Sequence, residues 1–322
     1  MRQAALSLAS ELESKYVFVE RGRNYAQAIR QAAAQGRYDT LSQSQFAAVA
    51  TADLQSVLTD LHLRVIQEPA GQGGPAQGSN PASSMSSVSA ALALTPAIGY
   101  LKIDRFDGSR QTVDAVDAFM RGHADDEAII LDLRDHSGGG LQEADVIFSY
   151  LYAKPTPLLR MALRSDVERV FGGLFPNIPQ LPAVSRDADF IVREHTAIPH
   201  KQETRLQDVR VIVLTSPNTV SAAEHMVAAL KWSDRAMVIG QKTAGANHFG
   251  GPLTIAPGLA VWMPSGRTYN IDSGADWEGA GIVPDITVPA AEALPRALAE
   301  FGLSEQEVES VLIQARSRLR GS

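Results

Sequence analysis

An α/β domain preceded by a small helical bundle is the fold class this sequence predicts, on three observations. Residues 1–68 carry apolar positions at helical spacing. Residues 98–290 alternate short apolar runs with helix-like segments, the pattern of strands joined by crossover helices. A tract rich in Gly, Ser and Pro separates the two. The 322 residues suffice for one large domain or two modest ones, and a 45% hydrophobic content supplies a sizeable core.

In the bundle, Leu6, Ala9, Leu12 and Tyr16 share one helical face. A second segment, Asn24 to Gln35, is rich in Ala and Gln and stops at Gly36, a residue suited to a helix C-cap. In the third, Phe46, Val49, Ala50, Leu54, Val57, Leu58 and Leu61 follow the i, i+3, i+4 pattern, and Ser42 with Gln45 forms a capping box. His62 stands where this helix runs out; a lone histidine there is more often structural than chemical. Residues 69–97 read as a flexible linker that marks a domain boundary.

The α/β region opens with a strand, Ile98 to Phe106, and a helix, Thr112 to His123. Ala128 to Arg134 is a buried strand that runs into Asp135-His-Ser-Gly-Gly-Gly140. Without a Gly-Lys-Ser/Thr ending this is no P-loop, and without GxGxxG it is no dinucleotide fingerprint. What remains is an anion or oxyanion site, or a glycine-rich turn and nothing more. Gln142 to Tyr152 reads as the next helix. Prolines 155, 157, 176, 179 and 182 break up residues 155–205. Within them, Phe171 to Asn177 reads as an exposed loop, either lining a substrate groove or simply packed, and His195 and His200 fit no helical metal pair.

Val211 to Leu214 is a buried strand, and Ser221 opens an alanine-rich helix to about Trp232. A serine at a strand–loop–helix junction lies beside unpartnered, partially positive amides, so an oxyanion formed there would find the Ala222 N–H. The plainer reading is a helix cap. Ala236 to Gly240 and Leu259 to Met263 are strands, with Pro264-Ser-Gly266 a turn. Glu278 lies among glycines beside Trp277, either orienting a base or standing exposed on a loop. Residues 291–322 form C-terminal helices, with Val308, Val311, Leu312, Ala315 and Leu319 on one face.

Composition excludes several function classes. A net charge of −7 argues against nucleic acid as the main partner. No apolar run reaches the ~18 residues of a membrane span. The absence of cysteine removes thiol catalysis, disulfides and cysteine-held metals, and no cofactor or metal is expected. The N-terminus lacks a long apolar run and does not read as a signal peptide.

Taken together, the segments resemble the C-terminal-processing (tail-specific) serine peptidases, in the branch of the tricorn core peptidase and the interphotoreceptor retinoid-binding protein repeats. The carrying residues are Asp60-Leu-His-Leu-Arg64, Gly99 to Phe106, Leu131 to Gly140, Ser221-Ala-Ala-Glu224, Gly240 to Gly245 and Glu278 to Ile286. The resemblance implies a crotonase-like (ClpP/crotonase) core, a nucleophile at Ser221, and an oxyanion hole from the Ala222 amide and one in the Gly138–Gly139 pair. One branch of the family uses a lysine 25 residues after the serine, but position 246 here is alanine and Lys242 falls four residues early. The tricorn-like branch uses histidine and glutamate, which fall on His62 and Glu278, with His248 and His136 as rival bases. The interval from His62 to Ile98 is shorter than the ~50 residues of a small domain, so no PDZ module is expected. The implied function is a serine peptidase acting on peptides or unfolded chains. The alternatives are an inactive carrier of an apolar retinoid- or fatty-acid-like ligand, or a crotonase-like enzyme acting on a small molecule. The resemblance leaves room for a homo-oligomer and implies export.

Overall fold

The computed structural model describes residues 1–67, 86–170 and 178–320. In chain order the elements are α1 (Arg2–Lys15), α2 (Val19–Ala34), α3 (Gln43–Val57), β1 (Arg64–Gln67), β2 (Val88–Thr95), β3 (Ile98–Ile103), α4 (Arg110–Gly122), β4 (Ala128–Asp132) and α5 (Gln142–Leu151). They continue with β5 (Thr156–Arg164), α6 (Ser165–Val170), β6 (Ala183–Arg186), β7 (Phe190–Ala197), β8 (Arg210–Thr215), α7 (Ala222–Trp232) and β9 (Met237–Gly240). The last are β10 (Phe249–Ala256), β11 (Leu259–Tyr269), β12 (Ile286–Thr287), α8 (Ala293–Glu300) and α9 (Glu305–Arg320).

The chain divides into two compact units, neither contiguous in sequence. The first gathers the described residues of Met1–Gln77, Arg160–His195 and Ala246–Gly279, and the second those of Gly78–Leu159, Thr196–Gly245 and Ala280–Ser322. The region expected as one α/β domain, 98–290, thus contributes residues to both units.

In the first unit, α1, α2 and α3 form the expected bundle, and its apolar faces close on a sheet. Leu8, Leu12, Tyr25, Ile29, Phe46 and Leu54 share one buried cluster with Leu253, Ile255, Leu259, Val261 and Met263 of β10 and β11. Strand order is β1-β11-β5-β7-β6, with β10 also pairing β11. Three buried tyrosines each find an acceptor for the hydroxyl, as buried phenols must. Tyr16 donates to Asp60 at 2.8 Å, Tyr25 to the Leu58 carbonyl at 2.8 Å and Tyr38 to Asp53 at 2.8 Å. Two of these contacts pin the segment that leads to His62. The capping box at Ser42 and Gln45 is formed as expected.

In the second unit the sheet order is β12-β9-β8-β4-β3-β2, parallel except for the β2–β3 pair. Ile130, Ile212, Leu214 and Ile239 face Ala297, Leu298, Val308 and Val311 of α8 and α9. The alternate residues, Ile129, Leu131 and Val213, are buried as well, which is why β4 and β8 read as unbroken apolar runs. The end of β4 is fixed by charge. Arg134 donates to Asp132 through Nε at 2.9 Å and to the Ala290 carbonyl at 2.6 Å, and Tyr100 donates to Asp132 at 2.5 Å. The glycine run starts from this anchored point.

Several local expectations are corrected. Residues 88–95, taken as linker, form β2; their small Ser and Ala side chains hide the strand alternation. Residues 155–205 hold β5, α6, β6 and β7 despite their prolines. Pro264-Ser-Gly266 is no turn but the middle of β11, opposite a register shift at Phe249/Gly250 of β10, where an irregular ladder accommodates a residue lacking an N–H. Linker residues 69–85 and the Phe171–Asn177 loop lie outside the described residues.

Helices α1 and α2 meet at Gly22, where an added Cβ would stand 2.4 Å from the Leu12 carbonyl oxygen. Gly22→Ala is therefore expected to destabilise the fold by about 1–3 kcal/mol through overpacking, although alanine favours helix. Urea unfolding of the two proteins checks the sign.

Candidate active site

The β8–α7 turn belongs to the second unit. Ser216 and Thr219 lace it down: the Ser216 amide donates to Thr219 Oγ1 at 3.0 Å, and Thr219 Oγ1 donates to the Leu133 carbonyl at 2.8 Å. Ser221 then adopts φ 59°, ψ −116°, one of two positive-φ non-glycine residues among those described. Such a conformation costs about 1–3 kcal/mol and persists only where its surroundings enforce it. The enforcing group is Glu224, a fully buried carboxylate. Its Oε2 accepts the Ser221 amide at 2.9 Å, and its Oε1 accepts Thr243 Oγ1 at 2.6 Å and the Gly245 amide at 2.7 Å. Ala222 is the first residue of α7, so its amide has no acceptor within the helix.

The glycine run packs directly on this turn. A Cβ on Gly138 would lie 3.0 Å from Ser221 Cβ, and one on Gly139 would lie 1.8 Å from the Phe106 carbonyl oxygen, so neither position admits a side chain. The Gly138 amide donates to His136 Nδ1 at 3.0 Å and is engaged there. Phe106 bridges to Gly139 through bonds to Gly138 O and from Gly140 N, which leaves the Gly139 amide outside the bridge. Among the described residues, the Gly138 amide is thus engaged with His136, while the Gly139 amide takes part in none of these bonds. His136 is fully buried against Phe106, and burial pushes its imidazole down to about 3. Its Nδ1 is engaged in the turn by the Gly138 amide.

The first unit holds His62, His248 and Glu278, gathered around Asp60. Asp60 is 1% exposed. Its Oδ1 accepts the His62 amide at 2.9 Å and the Leu63 amide at 3.2 Å; its Oδ2 accepts Tyr16 Oη at 2.8 Å and stands 2.8 Å from His248 Nδ1. Burial works against the Asp60 anion, but the bonds from His248, Tyr16 and the His62 amide overcome it and hold the carboxyl below its usual range. Nδ1 of His248 therefore carries the proton. Glu278 Oε2 accepts the Asn247 amide at 2.7 Å and the His248 amide at 2.9 Å, and lies 3.7 Å from His248 Nδ1. Burial raises the Glu278 carboxyl, Asp60 adds to the rise, and His248 and the two amides oppose it. Burial lowers the His62 imidazole to about 4, against the pull of Asp60.

Two residues central to these clusters, Glu224 and Asp60, stand in the sequence only as parts of the motifs that carry the resemblance, with no role assigned to them. Glu224 sits in a Ser-x-x-Glu pattern that signals a capping box, and that pattern was the available clue. For Asp60 the only sequence signal is its place in the Asp60-Leu-His-Leu-Arg64 motif, since its partners are distant. The structure joins Glu278 to His248 and joins Asp60 to both histidine segments. Among the described residues, Asp60, His248 and Glu278 also have ligand-type atoms within 4.8 Å of one another. Asp60 Oδ2, His248 Nδ1 and Glu278 Oε2 of this group also make the contacts described above.

The sequence model of peptidase family S41 matches residues 97–288, and that of the N-terminal domain of Peptidase_S41 in eukaryotic IRBP matches residues 1–97. The chain is 25% identical over 197 residues to carboxyl-terminal-processing peptidase 2, chloroplastic, of Arabidopsis thaliana, covering 61% of this chain and 32% of that protein. It is 27% identical over 212 residues to the chloroplastic C-terminal processing peptidase of Tetradesmus obliquus, covering 64% and 39%. The chain thus spans only 32–39% of these relatives' lengths. Its fold is similar to that of a candidate peptidase from Parabacteroides merdae (TM-score 0.66, 17% identity, 94% of this chain and 97% of that one). It is also similar to the photosystem II D1 C-terminal processing protease (TM-score 0.53, 15% identity, 90% and 93%).

His62 and His136 are both held neutral in the fold, with pKa values about 4 and about 3 against an unfolded value of about 6.5. As pH falls below about 6.5 the unfolded chain takes up protons that the folded one refuses, so stability present at neutral pH is lost progressively down to about pH 3. His136→Asn, which keeps an acceptor near Gly138, is expected to flatten this loss. Urea midpoints of both proteins at pH 7 and pH 4.5 provide the measurement.

Proposed function

The chain belongs to peptidase family S41, and from that premise we propose that it hydrolyses peptide bonds in peptides or unfolded chains. The nucleophile is Ser221, the general base His62, the carboxylate serving that base Glu278, and the oxyanion donors the Gly139 and Ala222 amides. The observation that carries this reading is the backbone of Ser221, held at φ 59° by a buried carboxylate beside side-chain-free glycines. Strain of that kind at a strand-to-helix turn is characteristic of an exposed nucleophilic oxygen.

In this mechanism His62 withdraws the Ser221 proton as Oγ attacks the scissile carbonyl. With its pKa lowered, His62 is neutral at pH 7 and so in the proton-accepting form. The charge that develops on the carbonyl oxygen is met by two preorganised amides, each worth about 2.7–4 kcal/mol. The imidazolium then gives its proton to the leaving amine, and the reverse sequence with water frees Ser221. The negative charge that favours the His62 imidazolium comes from Asp60, and Glu278 is assigned to the triad on the family resemblance. A crotonase-like core is part of the same proposal, supported by the parallel run β12-β9-β8-β4-β3 with helices α8 and α9 on one face.

A fluorophosphonate probe is expected to label Ser221, with no labelling in Ser221→Ala and a rate roughly 10³-fold lower or less in His62→Ala. Peptide mapping of the adduct identifies the residue. Absence of labelling in folded protein, together with saturable binding of a retinoid or fatty acid, would support the carrier instead.

A further inference from the structure

We propose that Asp60 and His248 form a positioning pair, which holds the turn that bears the base and the loop that bears Glu278 in fixed register. The proposal rests on the reading of His62 and Glu278 given above and adds two residues to it.

The pair joins segments far apart in the chain. Asp60 and His248 are 188 positions apart, both 1% exposed, and meet at 2.8 Å. On one side, the Asp60 carboxylate fixes the His62 backbone through its amide and the next. On the other, His248 donates its own amide to Glu278 Oε2 and is followed directly by β10. A shift of His248 therefore shifts the Glu278 carboxylate, and a shift of Asp60 shifts His62. The charged or titratable groups around the pair are Tyr16 on the segment after α1, Tyr25 on α2, His62 and Arg64 after α3, and Glu278. Arg64 is turned to the His62 carbonyl and the Trp262 ring. Tyr16 backs Asp60 from the side and packs edge-on against the His248 ring at 6.2 Å.

The ring is held by Nδ1. Among the described residues, Nε2 of His248 is buried with no hydrogen-bond partner. Geometry thus separates two isosteric replacements. Asparagine places an amide N–H near the position of Nδ1, whereas glutamine places one near Nε2, where no acceptor waits. A donor at the first position preserves the clamp; at the second it does not.

The test uses saturation kinetics of fluorophosphonate inactivation, which separates the maximal rate from probe affinity. His248→Asn is expected to stay within about threefold of the wild-type maximal rate. His248→Gln should lose about 10–100-fold in maximal rate at unchanged affinity, the scale of a catalytic group misplaced by about 1 Å. Asp60→Asn combined with His248→Gln should lose no more than the worse single variant, as members of one unit do. Circular dichroism and melting temperatures of all variants accompany the rates. Equal rates for folded Asn and Gln variants, a loss confined to affinity, or multiplicative losses in the double variant would each overturn the proposal. A wild-type protein that takes no label would instead overturn the peptidase reading on which it rests.

Discussion

A carboxylate buried among backbone amides is the constraint on which the candidate nucleophile depends. Glu224 is removed from water and compensated by three donors, two of them main-chain N–H groups. An acceptor so placed fixes backbone geometry more rigidly than packing does, because each donor left without it would be an unpaired buried polar group. Ser221 can therefore be held at positive φ, and the price of that conformation is spread over Thr243 and Gly245 as well as α7 itself. Thr243 closes the arrangement by accepting the Ile282 amide at 2.7 Å.

The same device recurs in the first unit. Asp60 collects two amides, a phenol and an imidazole, and Glu278 collects two amides. One short stretch of chain contributes to both places: Thr243 and Gly245 donate to Glu224, while Asn247 and His248 donate to Glu278. Its composition, Thr-Ala-Gly-Ala-Asn-His, is small and polar, which suits a segment whose task is to present N–H groups. The two environments still differ. Asp60 has enough donors to remain an anion, whereas Glu278 is pushed toward its neutral form by burial and by Asp60.

Much of this was legible in the sequence where the cause is local. The Ser42 capping box, the strand-loop-helix junction at Ser221 and the glycines after β4 are all set by neighbours a few positions away. The unread parts depend on distant residues. Asp60 looks like a polar residue at a fraying helix end, since its partners Tyr16 and His248 lie 44 and 188 positions off. Position alone did not show that Gly138 spends its amide on His136, because that bond depends on the ring's orientation. The strands between 155 and 197 were hidden by prolines, whose effect on pairing depends on which neighbour and which edge they meet.

The interleaving of the two units has a consequence for biogenesis. The helices of residues 1–57 emerge well before the strands that cover their apolar faces, β10 and β11, which are synthesised some two hundred residues later. Until then Leu12, Ile29, Phe46 and Leu54 have no sheet to rest on, so the bundle must wait as a sticky, half-finished layer on the nascent chain. Contacts of such high sequence separation make for slow closure. A polypeptide released before Met263 would leave that layer permanently uncovered, which makes early termination a more hazardous event for this architecture than for one assembled from successive, self-contained modules.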